Sequence, residues 1–163
     1  MTERLPPDGL IVRPAKASDV PTIVALIVMG APAGALDRAA AEAEGRDPVY
    51  AAAFERVAAA GNQHLFVADL NGRIIGTYQL SVLPGIAQRG RVRGKLESVH
   101  TDPECRSRGV GEAMMRHAIT IAKAEGIGLL ELSSDKRRDA AHRFYRRLGF
   151  AQSHEGFKMA LDV

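Results

Sequence analysis

The chain has 163 residues, 46% of them apolar and 25% charged, with a formal net charge of +3. Such proportions describe one ordinary globular domain, and no apolar run approaches the roughly 20 residues a membrane helix needs. A single cysteine, Cys105, excludes an internal disulfide and a cysteine-rich metal site, and so small a net charge does not call for a nucleic-acid partner. Residues 1–8 lack the apolar centre of a signal peptide and read as a loose arm, so a cytoplasmic protein is expected.

In chain order, residues 10–13 form a strand candidate. Ser18, Asp19 and Pro21 then supply helix-start chemistry before Ile23, Leu26 and Ile27, which repeat at helical spacing. Gly30 and Gly34 interrupt that helix. A second helix is expected over 36–44, and a third over 48–60, capped by Asp47 and stopped by Gly61-Asn62. Asn71-Gly72 lies between apolar runs at 64–70 and 73–83, a strong hairpin signal. After a loop opened by Pro84-Gly85 come a strand over 92–101, a helix over 109–125, a buried strand over 127–133 and a helix over 139–148. A final hairpin is expected from 150–154 and 157–161 around Glu155-Gly156. This order predicts a mixed sheet with helices on both faces.

The most informative stretch is 96–115. A strand turns at Asp102-Pro103, passes through a short loop bearing Arg106, Arg108, Gly109 and Gly111, and enters a long helix. Unpartnered N–H groups and the positive end of the helix dipole make such a junction an anion site, and its glycines let a ligand approach the backbone. The loop reads as a seat for a cofactor diphosphate. It is not a Walker loop, because no Gly-Lys-Ser/Thr follows, and no Gly-x-Gly-x-x-Gly follows the first strand.

Arg106, Gly109 and Gly111 form an Arg-x-x-Gly-x-Gly core that resembles the acyl-CoA loop of the GNAT superfamily of N-acetyltransferases. Some thirty residues on, the run from Ala141 through Phe144, Tyr145, Leu148, Gly149 and Phe150 is similar to that family's second signature. The resemblance implies an α/β fold: a mostly antiparallel twisted sheet whose middle strands splay, with helices on both faces. It implies acetyl-CoA lying where strands 92–101 and 127–133 part. The pantetheine arm would pair with the backbone of Val99, His100 and Thr101. The diphosphate would sit on Arg106, Ser107, Arg108, Gly109, Val110 and Gly111, and Ala141 and Tyr145 would flank the thiol. The sequence departs from the family at Arg138, where an asparagine is common.

Acetyl transfer needs a neutral amine, and deprotonating an alkylamine of pKa about 10.4 at pH 7 costs roughly 4–5 kcal/mol. Glu97 is the candidate base, and it resembles the strand glutamate serving that role in some family members. The competing reading is an ion pair with Arg93 or Lys95. Leu96 and Val99 break strict alternation, which suggests a bulge that aims Glu97 or the Val99 N–H at the thioester. Tyr145 is the candidate acid for the leaving thiolate, against packing beside Phe144 and Leu148. His100 reads as a second base, a substrate contact or a structural residue; Cys105 reads as a spacer. The remaining histidines show no metal-ligand spacing, so no metal is expected. The run Lys136-Arg137-Arg138 suits either a 3′-phosphate or solvent, and arginines in the loop from Pro84 to Arg93 suit an acidic acceptor.

The function expected is therefore transfer of an acetyl group to a primary amine of a small molecule or peptide by direct attack in a ternary complex. The alternative is an acyl-CoA-binding module without catalysis. No membrane or nucleic-acid partner is expected, and a homodimer is compatible with the family.

Overall fold

A computed structural model of the protein describes residues 5–162, so part of the expected N-terminal arm, 1–4, lies outside the described residues. The chain falls into two compact units, Met1–Leu132 and Ser133–Val163.

The first unit is built on one sheet in the order β1-β2-β3-β4-β5. The strands are β1 (Leu10–Pro14), β2 (Gln63–Leu70), β3 (Arg73–Leu83), β4 (Arg93–Thr101) and β5 (Leu129–Leu132). Neighbours run antiparallel through β4, and β5 alone is parallel to its partner. The β2–β3 hairpin turns at Asn71 and Gly72, both with positive φ (53° and 89°), as the tight primed turn requires. Asp69 secures it by accepting from the Gly72 N–H at 2.7 Å.

Helices α1 (Val20–Met29), α2 (Arg38–Glu44) and α3 (Pro48–Ala59) separate β1 from β2. Asp47 caps α3 as its sequence suggests, accepting from Val49 N at 2.9 Å. α2 begins two residues later than expected because Asp37 is its cap, accepting from Ala40 N at 2.9 Å. Asp19 precedes α1 but makes no cap bond to it. Its carboxylate instead holds Arg13 at 2.8 Å and the Lys16 N–H at 2.8 Å, while Arg13 also reaches Asp69 at 3.0 Å. One guanidinium thus ties β1, β2 and the start of α1.

A single turn, α4 (Ala87–Gly90), precedes β4, and α5 (Val110–Ala124) follows it. Val110, Met114, Ala118 and Ala122 recur every fourth residue on α5 and are buried with Met115. They pack on the face of β3 that carries Gly76, where an added Cβ would lie 2.9 Å from Met114 Sδ. Tyr78, on the same face and fully buried, bonds His117 Nδ1 of α5 at 2.7 Å. Burial raises the Tyr78 phenol pKa and lowers that of His117, so both groups are held neutral and share this hydrogen bond.

The sequence overstates β5. It spans four residues, not seven, and Leu129 is 40% exposed. An apolar run reads as a buried strand, but β5 is the last strand of the sheet order and pairs only with β4.

The second unit holds α6 (Asp139–Arg147) and an extended tail. The hairpin expected over 150–161 does not form: residues 150–162 carry no strand. Phe157, Met159 and Leu161 alternate as a strand would, yet they are 96%, 84% and 71% exposed. A lone two-stranded ribbon without an apolar surface beneath it is marginal, whatever its alternation.

Candidate active site

The β4–β5 ladder has four pairs, from Arg93↔Leu129 to Leu96↔Leu132, and β4 then continues through Glu97–Thr101 without β5. Five residues of β4 thereby keep β3 on one edge and leave the other edge beyond the ladder. The backbone of Val99, His100 and Thr101 lies in this extension, where an added extended ligand would find main-chain donors and acceptors.

Inside it β4 carries the bulge that the Leu96–Val99 spacing predicts. Gln79 pairs with Glu97 and Thr77 with His100, so Ser98 and Val99 together face the single residue Tyr78. Ser98 adopts φ 50° to make room. Thr77 and Gln79 are two apart on β3 and share a face, so the bulge puts Glu97 and His100 on one face although they are three apart. That face is α1's: a Cβ on Gly30, at the end of α1, would lie 2.2 Å from His100 Nδ1. Glycine is required there by close approach. Leu96, before the bulge, pairs with Leu80 and is 2% exposed.

Glu97 is exposed and its carboxylate meets Lys95 Nζ at 2.9 Å. Of the two cations considered, Lys95 is its partner, and Arg93 pairs with Glu131 at 3.1 Å instead. The carboxylate therefore sits at the splay with an ammonium beside it.

β4 ends at Asp102, whose side chain accepts from Glu104 N at 3.0 Å and starts the single turn Pro103–Cys105. Cys105 is buried, its N–H bonded to the Asp102 carbonyl at 2.8 Å, consistent with a spacer. Arg106, Ser107 and Arg108 follow, all exposed, and Gly109 opens α5. Ser107 (φ 62°) and Gly109 (φ 80°) are both left-handed, which curls the loop backbone before Val110 and Gly111. α5 has no side-chain cap, so its first N–H groups are left to other acceptors. A depression of about 360 Å³ beside the loop is lined by Leu5, Pro7, Ser107 and Arg108. These features suit a polyphosphate: exposed guanidinium groups, a curled backbone and a helix N-terminus.

In the second unit, Tyr145 lies near the end of α6. Phe150 N donates to Tyr145 O at 3.1 Å and Gly149 N to Arg146 O at 3.0 Å, with Gly149 at φ 94°. This is a Schellman ending, and the Tyr145 and Phe150 rings meet edge to face at 5.8 Å. The Leu-Gly-Phe run after Tyr145 is thus a device that stops the helix and packs the tyrosine. Phe144 flanks Tyr145 at 5.2 Å. Burial pushes the Tyr145 phenol above its ordinary pKa, and the Arg138 charge partly opposes this. Arg138, in the family's asparagine position, therefore acts electrostatically on Tyr145. Ala141 is half-buried one turn before it.

Sequence reasoning missed Ser134. Its hydroxyl is buried without a hydrogen-bond partner among the described residues. Two serines just after β5 are the only signal, and small polar residues at strand ends are too common to single out. Among the described residues no group of His, Cys, Asp and Glu could hold a metal, and no helix is long and apolar enough to cross a membrane.

The family profile described as "Acetyltransferase (GNAT) family" matches residues 35–150. Glucosamine 6-phosphate N-acetyltransferase of Trypanosoma brucei brucei is 32% identical over 61% of this chain and 64% of its own length. Aminoalkylphosphonate N-acetyltransferase of Salmonella typhimurium is 32% identical over 61% and 64%. The chain thus spans just under two thirds of these curated relatives. A crystal structure described as a transcriptional regulator from Bacillus halodurans C-125 superposes with TM-score 0.83 at 30% identity, over 93% of this chain and 99% of that one.

Proposed function

Because the chain belongs to the GNAT family of acetyltransferases, we propose that it moves an acetyl group from acetyl-CoA to the primary amine of an acceptor by direct attack in a ternary complex. The observation that carries this is the five-residue extension of β4 beyond β5, which leads directly into the curled loop and α5. When bound, acetyl-CoA supplies an activated thioester carbonyl. Val99, His100 and Thr101 offer backbone to the pantetheine arm. Residues 106–111 bind the diphosphate through main-chain N–H groups and two guanidiniums. Ser134, with an unsatisfied buried hydroxyl, is a further candidate contact.

Glu97 takes the proton of the attacking ammonium, directly or through water, and the bulge aims it toward the α1 face. The Val99 N–H donates to the acetyl oxygen as charge develops there. Tyr145 donates its phenolic proton to the departing sulfur; its raised pKa keeps that proton in place at neutral pH. Ala141 borders the thiol.

For the acceptor, both relatives above are named for substrates that join an amine to a phosphate or phosphonate. An acceptor of that kind suits this site, because Lys95 stands two residues from Glu97 on the same face. Arg93, the first residue of β4, is less suited: it is four residues from Glu97, about 13 Å along an extended strand, and the loop arginines lie before it.

Release of CoA thiol with a panel of phosphorylated and plain primary amines tests the proposal. Turnover with at least one amine, abolished by leaving out acetyl-CoA, is the expected result. The ion pair between Glu97 and Lys95 favours a second reading, an acyl-CoA-binding module whose carboxylate is occupied. Tight CoA binding with no turnover across the panel would select it.

A further inference from the structure

Two carboxylates stand immediately before the anion loop, where a bound diphosphate would repel them. Asp102 is 2% exposed and Glu104 lies two residues on. Two arginines from distant parts of the chain meet them. Arg38, the first residue of α2, grips Asp102 with both terminal nitrogens, at 3.0 and 3.4 Å, and approaches Glu104 at 3.6 Å. Arg73, the first residue of β3, bonds Asp102 and Glu104 at 3.1 Å each. The turn itself is pinned to β3 by Asp102 N, which donates to Ile75 O at 2.8 Å.

Formal charge in this cluster sums to zero. Burial alone would raise the Asp102 pKa, but hydrogen bonds from Arg38, the Glu104 N–H and Arg73 together hold it below the usual carboxylate range. Asp102 is therefore a permanent anion at the mouth of an anion site. Ion pairs as exposed as those of Glu104 add little stability. Their effect on a charged ligand a few residues away is larger, because a lone charge within a Debye length remains poorly screened.

We propose that Arg38 and Arg73 are positioning residues for the anion loop: they neutralise and orient Asp102 and Glu104, so that the turn leading into residues 106–111 presents its N–H groups to phosphate without net negative charge beside them. The proposal rests on the acetyl-CoA reading of that loop. It makes α2 and the β2–β3 turn contributors to cofactor affinity, although neither carries a residue of the family's signatures.

The test measures affinity for CoA, and for pantetheine as the phosphate-free fragment, by competition against acetyl-CoA turnover or by calorimetry. Wild type, Arg38→Gln, Arg38→Lys, Glu104→Gln and the double variant Arg38→Gln/Glu104→Gln are compared, with melting temperatures confirming folding. Arg38→Gln is expected to weaken CoA about three- to tenfold and pantetheine by less than about twofold, a loss that shrinks at high salt. Arg38→Lys keeps most of the affinity, and the double variant regains it by restoring neutrality. Equal losses for both ligands would mean that the arginines act only as structural supports, and the proposal would fall. No change for either ligand would also overturn it. A wild-type protein that binds neither ligand removes the acetyl-CoA reading itself, and this proposal with it.

Discussion

Phe150 closes on Tyr145: its N–H donates to the Tyr145 carbonyl at 3.1 Å while its ring meets the phenol ring edge-on at 5.8 Å. The residue assigned as acid is therefore held from behind by the residue that ends its helix. Tyr145→Phe, which keeps this packing and removes the proton, is expected to lower kcat about 10²-fold with KM for acetyl-CoA little changed. Phe150→Ala keeps the phenol but loosens it, and a kcat loss of roughly tenfold is expected. Steady-state kinetics with a good amine acceptor check both. A Tyr145→Phe enzyme within threefold of wild type would remove Tyr145 from the chemistry.

Gly149 has the positive φ that the Schellman ending demands, 94°. Gly149→Ala should cost about 1–2 kcal/mol wherever α6 is part of the cooperative unit. Thermal or urea unfolding measures it. A fall in kcat accompanying intact global stability would show that α6 frays locally around Tyr145.

The pH–rate profile should be one-sided across the usual range. Burial holds the Tyr145 phenol above pKa 10, so its proton is present throughout the neutral and mildly alkaline region. Activity is then expected to rise with pH as the amine loses its proton, with no alkaline decline until pH exceeds about 10. Arg138 opposes the upward shift, so Arg138→Asn should move any alkaline limb higher still. A decline beginning near pH 8 in wild type would contradict the assignment.

Glu97 and His100 share the α1 face although three apart, because Ser98 and Val99 bulge together opposite Tyr78. Glu97→Gln is expected to lower kcat/KM by 10-fold to 10²-fold, most strongly at low pH, where the amine most needs a base. Deleting Ser98 removes the bulge while leaving Glu97 and His100 two apart and still on one face. Activity is then expected to fall, in protein that keeps its helices by circular dichroism, because the bulge that turns the Val99 N–H toward the thioester is gone.

Stability should depend on pH through His117. Its pKa is lowered by burial, so the folded protein prefers the neutral ring. As pH falls through about 6.5 the unfolded chain takes up this proton first, and stability declines from there down to the folded pKa; above 6.5 the residue contributes no pH dependence. Melting temperatures between pH 5 and 8 should show that slope. A Tyr78→Phe/His117→Phe pair, which removes both polar partners together, should flatten it.

Much of this architecture was legible in the residues because its causes are local. Asn71-Gly72 dictates its own turn, Asp47-Pro48 starts its own helix, and the fourfold spacing from Val110 to Ala122 declares which side of α5 is apolar. The broken alternation between Leu96 and Val99 signalled the bulge for the same reason. What escaped was set by distance. Arg38 and Asp102 are 64 residues apart, and neither has neighbours that announce the other. The strand reading of residues 157–161 failed because alternation states which side chains align, not whether a surface waits to receive them. The place of β5 in the sheet is not legible because Leu129, Leu130 and Leu132 are equally apolar at the end of a sheet and in its middle.

Ser98 also bears on any attempt to graft this cofactor loop onto another scaffold. A strand with one surplus residue changes phase partway along: before the bulge the odd-numbered Lys95 and Glu97 share α1's face, and after it the even-numbered His100 does. Transplanting residues 99–111 alone would leave that phase change behind. The grafted segment would then enter the loop rotated by half a pleat, its backbone hydrogen-bonding groups pointing to the wrong side. The smallest portable module therefore begins at Leu96.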